Sequence, residues 1–344
     1  MLNIHKPGLL TTVQDPGRFG FQKYGVIVSG AMDSFALRIA NVLVGNDENE
    51  AALEITLLGP EIEFTADALV SLCGGDLSPR VNGKSIRMWR PVFIEQGSVL
   101  SFGAANQGIR TYLAVAGGIN VPPSLGSKST YLRATLGGYC GRPLKTGDHV
   151  KVSSPGCLAK SLIKHLSQTL ADGYAEADWA VSNMFSFPSS DRLAIRVIKG
   201  RHFDLFTLES KAAFFNEPFV ITPQSDRMGY RLKGPDLGLG HPEEMLSEAV
   251  CYGTIQVPPG GQPIILLADR PATGGYPKIA EIASVDFPAI AQAKPGDHLF
   301  FELISAKQAQ LLLLQKEAML RQVKQGIQLK FREVKIDDES GFEL

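Results

Sequence analysis

The chain has 344 residues, 44% of them apolar and 20% charged, with a net charge of -1 and no block of like charge. That length leaves room for two domains and a large core. The charge balance argues against a nucleic-acid partner, whose phosphates need a basic face, and against a polybasic membrane surface.

At the N-terminus, "MLNIHKPGLL" shows no basic region followed by a long apolar core, and the longest leucine run is only Leu311 to Leu314. Cys73, Cys140, Cys157 and Cys251 form no CxxC pair and no zinc-type spacing with histidine. A soluble cytoplasmic protein with reduced thiols and no bound metal is expected.

The first unusual stretch is "TTVQDPGRFGFQKYGVIVSGAMD", Thr11 to Asp33. Its glycines permit close backbone approach, and Asp15 and Arg18 bracket a Pro-Gly turn. By spacing alone it reads as a glycine-rich loop in which those two charges pair locally. A helix follows in "DSFALRIANVLVGN", with Asp33 or Ser34 as N-cap, apolar residues from Phe35 to Leu43 and Gly45 as stop.

Short runs such as "ALVSLCGG", "PVFIEQGSVLSFG" and "TYLAVAGGI" then alternate with Gly, Pro, Asn and Asp, which predicts a β-rich sandwich or barrel. Asn82-Gly83 marks a tight hairpin over Val81 to Ser85. The "GKS" inside it lacks the upstream glycine of a phosphate-binding loop, because Ser78 stands there. "CLAKSLIKHLSQTL" carries an amphipathic helical stripe and opens a helical connector over 156–192, between a first domain at 1–155 and a second at 193–305. Residues 306–344 read as a C-terminal helix with a frayed tail.

The halves echo each other. "LKTGDHVKV" (Leu144 to Val152) resembles "AKPGDHLFF" (Ala293 to Phe301), and "RFGF" at Arg18 resembles "RMGY" at Arg227. Arg18 to Gly147 covers 129 positions and Arg227 to Gly296 covers 69, so two related β domains are expected rather than a short-period repeat. His149 and His298 occupy the duplicated Gly-Asp-His and read as structural.

Two later stretches are rich in hydrogen-bonding side chains. "TPQSDRMGYRLKGP" holds Ser225, Asp226, Arg227 and Tyr230, with a second arginine at 231. "LLADRPATGGYPKIAEI" ends an apolar run in Asp269-Arg270 and continues through Thr273, Gly274, Gly275, Tyr276 and Lys278. Charges just past a buried strand are costly unless paired, so they pair or face a cleft. Thr273-Gly274-Gly275 offers consecutive N–H groups for an anion nest. Glu281 and Asp286 are either carboxylates near that stretch or ordinary surface charges, the second reading being preferred.

Taken together, these three stretches, with "LEITLLGPEIEF", "GGIN" and "LGSKSTYLRATLGGY", closely resemble the biotin-dependent carboxyltransferase / allophanate-hydrolase-subunit-2 family over residues 2 to 303. The resemblance implies a β-rich α+β fold of two tandem cyclophilin-like β-barrel domains with a few helices. Stand-alone bacterial members include the C subunit of ATP-dependent 5-oxoprolinase, which works with an inhibitor-like B subunit plus an A subunit on a small lactam. Another is described as the antagonist of a sporulation-kinase inhibitor, a non-catalytic regulatory role. In urea carboxylase the same module is the carboxyltransferase region. This chain has no biotin-attachment motif, so a biotin route would need a separate carrier, and ATP is expected mainly on a partner subunit.

The resemblance carries over to Asp15, Arg18, Ser29 and Asp33 in the first half. In the second half it carries over to Ser225, Asp226, Arg227, Tyr230, Asp269, Arg270, Thr273, Tyr276 and Lys278. Opening a phosphorylated lactam needs cations for phosphate and carboxylate, expected from Arg227, Arg270 and Lys278. It needs an acid/base group, expected from Asp226 or Asp269. It also needs backbone donors, expected from Gly274 and Gly275 or from Gly74 and Gly75. A carboxyltransferase would need nearly the same set.

Overall fold

Short, largely apolar runs form the strands of this chain, and among the described residues they pair antiparallel except where Arg192–Lys199 meets His298–Leu303. The structure is a computed structural model that describes residues 1–182, 192–241 and 243–340, with side chains through 334. The connector residues 183–191 and the last four tail residues lie outside the described residues. The chain divides into two units. Of the described residues, the first holds Met1–Gly17, 33–182 and 318–340, and the second holds Arg18–Met32 and 192–317. The Thr11 to Asp33 stretch is thus shared: Thr11 to Gly17 and Asp33 go to the first unit, and Arg18 to Met32 to the second.

The first unit has two six-stranded sheets. One runs from His149–Val150 through Leu2–Lys6, Glu61–Phe64, Val99–Ser101 and Arg80–Val81 to Lys84–Ser85. The other runs from Tyr174–Glu176 through Pro91–Ile94, Ala68–Asp76, Gln107–Val115 and Ala52–Thr56 to Leu10–Gln14. Leu2, Ile4, Leu53, Phe64, Leu72, Ile94 and Leu113 are among the buried core residues. The hairpin falls where Asn82-Gly83 predicts it: both residues are left-handed, and Arg80 pairs with Ser85 and Val81 with Lys84.

The helix Ser34–Leu43 packs on strands Ala68–Asp76 and Gln107–Val115. Its cap is Asp33, whose Oδ1 accepts from Ala36 N at 3.0 Å. The helix Cys157–Ser167, read as the start of a connector, packs on Ala68–Asp76, Pro91–Ile94 and Tyr174–Glu176.

The second unit is a closed seven-stranded barrel: Arg192–Lys199, Lys278–Ile282, Thr254–Gln256, Ile264–Leu266, Gly229–Lys233, Phe219–Ile221 and His298–Leu303. It closes through parallel pairing of its first and last strands in chain order, from Arg192 opposite His298 to Val197 opposite Leu303. Phe214 stacks on Phe301 inside it, with ring centroids 4.5 Å apart. Phe214 belongs to the helix Leu208–Asn216, which the sequence pattern did not reveal and which Thr207 caps. A short helix, Phe287–Gln292, also went unread. The helix Ala306–Ser340 runs through Gly326 and through the first residues of the expected frayed tail. No helix among the described residues is long and apolar enough to cross a membrane.

The duplicated Gly-Asp-His is one turn built twice. Asp148 N donates to Lys145 O and Asp297 N to Lys294 O, each at 3.1 Å. Each aspartate carboxylate accepts from the same lysine's backbone N, at 2.7 and 2.9 Å. Gly147 N donates to Ile4 O and Gly296 N to Ile221 O, and Ile4 N and Ile221 N answer to the aspartate carbonyls. The histidines open the strands that follow.

Candidate functional site

All three motif stretches contribute to one ion pair in the second unit. Arg227 Nε donates to Asp269 Oδ2 at 3.0 Å and its Nη2 to Asp269 Oδ1 at 3.3 Å. Nη2 also donates to the Gly30 carbonyl. Ser29, a buried non-glycine residue with φ +55, donates its hydroxyl to Asp269 Oδ1 at 2.8 Å. That left-handed backbone is costly for an L-residue and tends to persist only where contacts over-determine it. Arg227 and Asp269 are both buried, so each depends on the other for charge compensation.

A second cluster surrounds Lys278, which is also buried. Its Nζ donates to Glu248 Oε1 at 2.5 Å and to Ala249 O at 3.1 Å. That hydrogen bond holds the Glu248 carboxyl below the usual carboxylate range. His202 Nδ1 accepts from Lys278 N at 3.2 Å, which leaves a proton on Nε2, 3.7 Å from Glu248 Oε1. The pair Glu248–Ala249 forms a small ladder with Thr273–Gly274. Thr273-Gly274-Gly275 is therefore not the expected nest: Gly274 enters the ladder, and neither glycine has the left-handed backbone a nest alternates with. A Cβ at Gly274 would lie 2.4 Å from the Gln256 amide, so a side chain here would have to displace the end of Gln256.

Arg270 lies between these clusters in sequence. Its Nε donates to Val250 O at 3.3 Å and Nη1 to Leu267 O at 3.2 Å. Burial draws its pKa down from the ordinary guanidinium value. Glu281 is half-buried, accepts from Thr254 Oγ1 at 2.7 Å, and is pushed up by burial. Asp286 is buried and takes the Arg196 backbone N at 2.7 Å and Nε at 3.0 Å. Neither acid is the surface charge its sequence setting suggests: Glu281 lies in the barrel strand Lys278–Ile282 and Asp286 in the short turn after it, and each takes its partner from another strand.

The remaining expected residues have other work. Asp226 is exposed and caps its own turn, with Oδ1 accepting from Met228 N at 2.8 Å and Gly229 N at 3.3 Å. Ser225 accepts from Arg231 N at 3.1 Å. Tyr230 is buried and donates to Ala293 O at 3.0 Å. Tyr276 is exposed, and its carbonyl accepts from Gln256 at 3.4 Å. Arg18 is fully buried, with its N bonded to Val28 O.

Asp15 and Asp33 belong to the first unit. Asp15 accepts from Gly17 N at 2.8 Å, Ser127 Oγ at 2.7 Å, Lys128 N at 2.5 Å and Ser129 Oγ. Asp33 N donates to Tyr112 Oη, which donates to Glu54 Oε2, each at 2.7 Å. Gly74 lies inside the strand Ala68–Asp76 with φ +99, and the Gly75 carbonyl takes the Thr111 hydroxyl.

Sequence reading missed Glu248, His202, Gln256 and Thr254, and it favoured a surface role for Glu281. Only Glu281 left a signal, as a charge between the apolar Ala280 and Ile282 of "KIAEI". Among the described residues no group of three or more His, Cys, Asp and Glu is placed to hold a metal.

Comparison with known proteins gives the family. The model of the carboxyltransferase domain, subdomain A and B, matches residues 24–303. The C subunit of 5-oxoprolinase from Haemophilus influenzae is 35% identical over 324 residues, covering 94% of this chain and 98% of its own length. That of Escherichia coli is 39% identical over 309 residues, covering 90% and 93%. The solved K. lactis urea amidolyase matches with a TM-score of 0.82 at 32% identity over 94% of this chain, which spans only 20% of that larger protein. Ser29, Gly30, Arg227 and Asp269 all fall within the matched range, and the chain belongs to the carboxyltransferase domain A and B family.

Proposed function

We propose that this chain is the C subunit of an ATP-dependent 5-oxoprolinase, opening 5-oxo-L-proline to L-glutamate in the cytoplasm together with the A and B subunits. The observation that carries the reading is end-to-end similarity to two stand-alone C subunits, at 98% and 93% of their lengths. ATP would activate the lactam by phosphorylating its oxygen.

Of the three expected cations, Arg227 is committed to Asp269 and Lys278 to Glu248. Arg270 makes no ion pair among the described residues and is the anion-binding group. One such cation suits a carboxylate or a single phosphoryl group better than a triphosphate, which supports ATP binding chiefly on a partner. Asp269 holds the three motif stretches together. Asp226, whose turn bonds use only Oδ1, is the candidate on the exposed turn to take a proton from the attacking water. Purified A, B and C subunits should release glutamate only when all three and ATP are present. Unchanged turnover without this chain refutes the assignment.

The match to urea amidolyase supports a second reading, a biotin-dependent carboxyltransferase acting on a urea-like or amide substrate with a separate carrier. Avidin should abolish that activity; an avidin-insensitive native reaction counts against it.

A further inference from the structure

Arg270 and Glu281 are half-buried charged groups of the second unit with incomplete sets of partners. A guanidinium carries five N–H donors. Arg270 spends one on Val250 O and one on Leu267 O, which leaves both Nη2 hydrogens and one on Nη1. Those are the donors left to meet a carboxylate or phosphoryl group. Glu281 is similarly half-satisfied. Thr254 Oγ1 accepts from Cys251 N at 3.0 Å, so its own proton is directed at Glu281 Oε2. Glu281 Oε1 has no hydrogen-bond partner among the described residues.

The groups acting on Glu281 are Thr254 from the strand Thr254–Gln256, Lys278 from its own strand and Arg270 from the loop before it. Across the sheet it faces the apolar Ile198. Cys251 and Tyr252 act on Arg270. Burial outweighs both cations and pushes the Glu281 carboxyl up, so it retains a proton further toward neutral pH than an ordinary glutamate.

We infer that Arg270 and Glu281 together form a receptor for a small molecule that carries an anionic oxygen beside an amide. Arg270 grips the carboxylate or phosphoryl oxygen, and Glu281 supplies a proton to the amide nitrogen. The identity of the ligand as a lactam acid rests on the 5-oxoprolinase reading; the anion site does not. In ring opening, water adds at the phosphorylated carbon and its protons pass to solvent. The acyl phosphate that forms is hydrolysed by a second water to glutamate and inorganic phosphate. The carbon–nitrogen bond that breaks leaves its electron pair on nitrogen, which takes the Glu281 proton. The carboxylate left behind keeps the Thr254 hydrogen bond, is favoured by Arg270 and Lys278, and regains a proton from solvent.

The test has two arms. Calorimetric titration of the isolated chain uses inorganic phosphate and 5-oxo-L-proline as separate probes. At least one should bind, and Arg270→Gln should weaken it about 10- to 100-fold, the worth of a charge-assisted pair. Arg270→Lys, which keeps the charge but not the fork, should fall between. Binding of phosphate alone assigns a phosphoryl site, and of 5-oxo-L-proline alone a carboxylate site. Binding of neither, or equal binding by a folded Arg270→Gln, overturns the proposal. In the assembled three-subunit enzyme, Glu281→Gln should lower kcat with KM little changed and remove the alkaline limb of the kcat–pH profile. A wild-type profile in that variant overturns the role of Glu281. If the wild-type assembly forms no glutamate, the 5-oxoprolinase reading fails while the phosphate titration still decides the anion site.

Discussion

Asp269 and Arg270 are consecutive residues with opposite surroundings. Asp269 is buried and receives bonds from Arg227 and Ser29, so its charge is closed off. Arg270 is half-buried, leans on two carbonyls and meets no carboxylate at pairing distance among the described residues. The difference separates two jobs that share one motif. A charge whose valences are filled by its own fold holds the fold together, whereas one left with open donors can meet a ligand.

Asp269→Asn should produce the largest effect. Breaking one side of a buried ion pair costs about 3–5 kcal/mol, because the surviving guanidinium is left uncompensated. Chemical denaturation should show it, and the double change Arg227→Met with Asp269→Leu should recover much of the loss. Arg270→Gln should cost under ~1 kcal/mol, since no ion pair is broken. Equal costs at 269 and 270 would dissolve the distinction.

Asp15 extends the closed class to the first unit. Asp15→Ala orphans four donors, at Gly17, Ser127, Lys128 and Ser129. Denaturation should show a loss of at least about 1–3 kcal/mol, the cost of one buried donor left unpaired, since Ser127 and Ser129 are both buried.

The same contrast predicts opposite pH dependence for two glutamates. Glu248 is depressed by Lys278, so its contribution is present at neutral pH and disappears as pH falls through its lowered pKa. Glu281 is raised by burial, so its contribution is full in acid and is lost as pH rises through its raised pKa. In thermal melts across pH, the advantage of wild type over Glu248→Gln should vanish in acid. Relative to Glu281→Gln, wild type should lose ground as pH rises. Smallest is a labelling difference: Cys140, Cys157 and Cys251 are exposed, whereas Cys73 is buried and its thiol is pushed up. A thiol reagent should titrate three groups in the native protein and the fourth only on unfolding.

What could be read in the sequence was local. The Asp33-capped helix, the Asn82-Gly83 hairpin and the doubled Gly-Asp-His turn each close their bonds mainly within a few residues, so spacing reveals them. The stretches that meet at Arg227 and Asp269 were marked by their unusual polar content and by family resemblance. Their pairing was not, because Ser29 and Asp269 are 240 positions apart. Glu248 was invisible because nothing in "SEAVCY" foretells a partner 30 residues later. Asp286 was misread because its arginine lies 90 positions upstream. The helix Phe287–Gln292 is six residues with Pro288 near its start, too short for a helical period to show.

The doubled turn has one further consequence. Gly147 and Gly296 hold φ of +87 and +95, and a Cβ at either would meet nothing within 4 Å. The demand at both sites is therefore one of handedness, not of space. L-Alanine should strain both turns, whereas D-alanine introduced by chemical ligation should fit them. By narrowing the unfolded chain's freedom, the mirror-image residue should stabilise each turn by roughly 0.4–1 kcal/mol, a gain that none of the ordinary genetically encoded side chains can reach there.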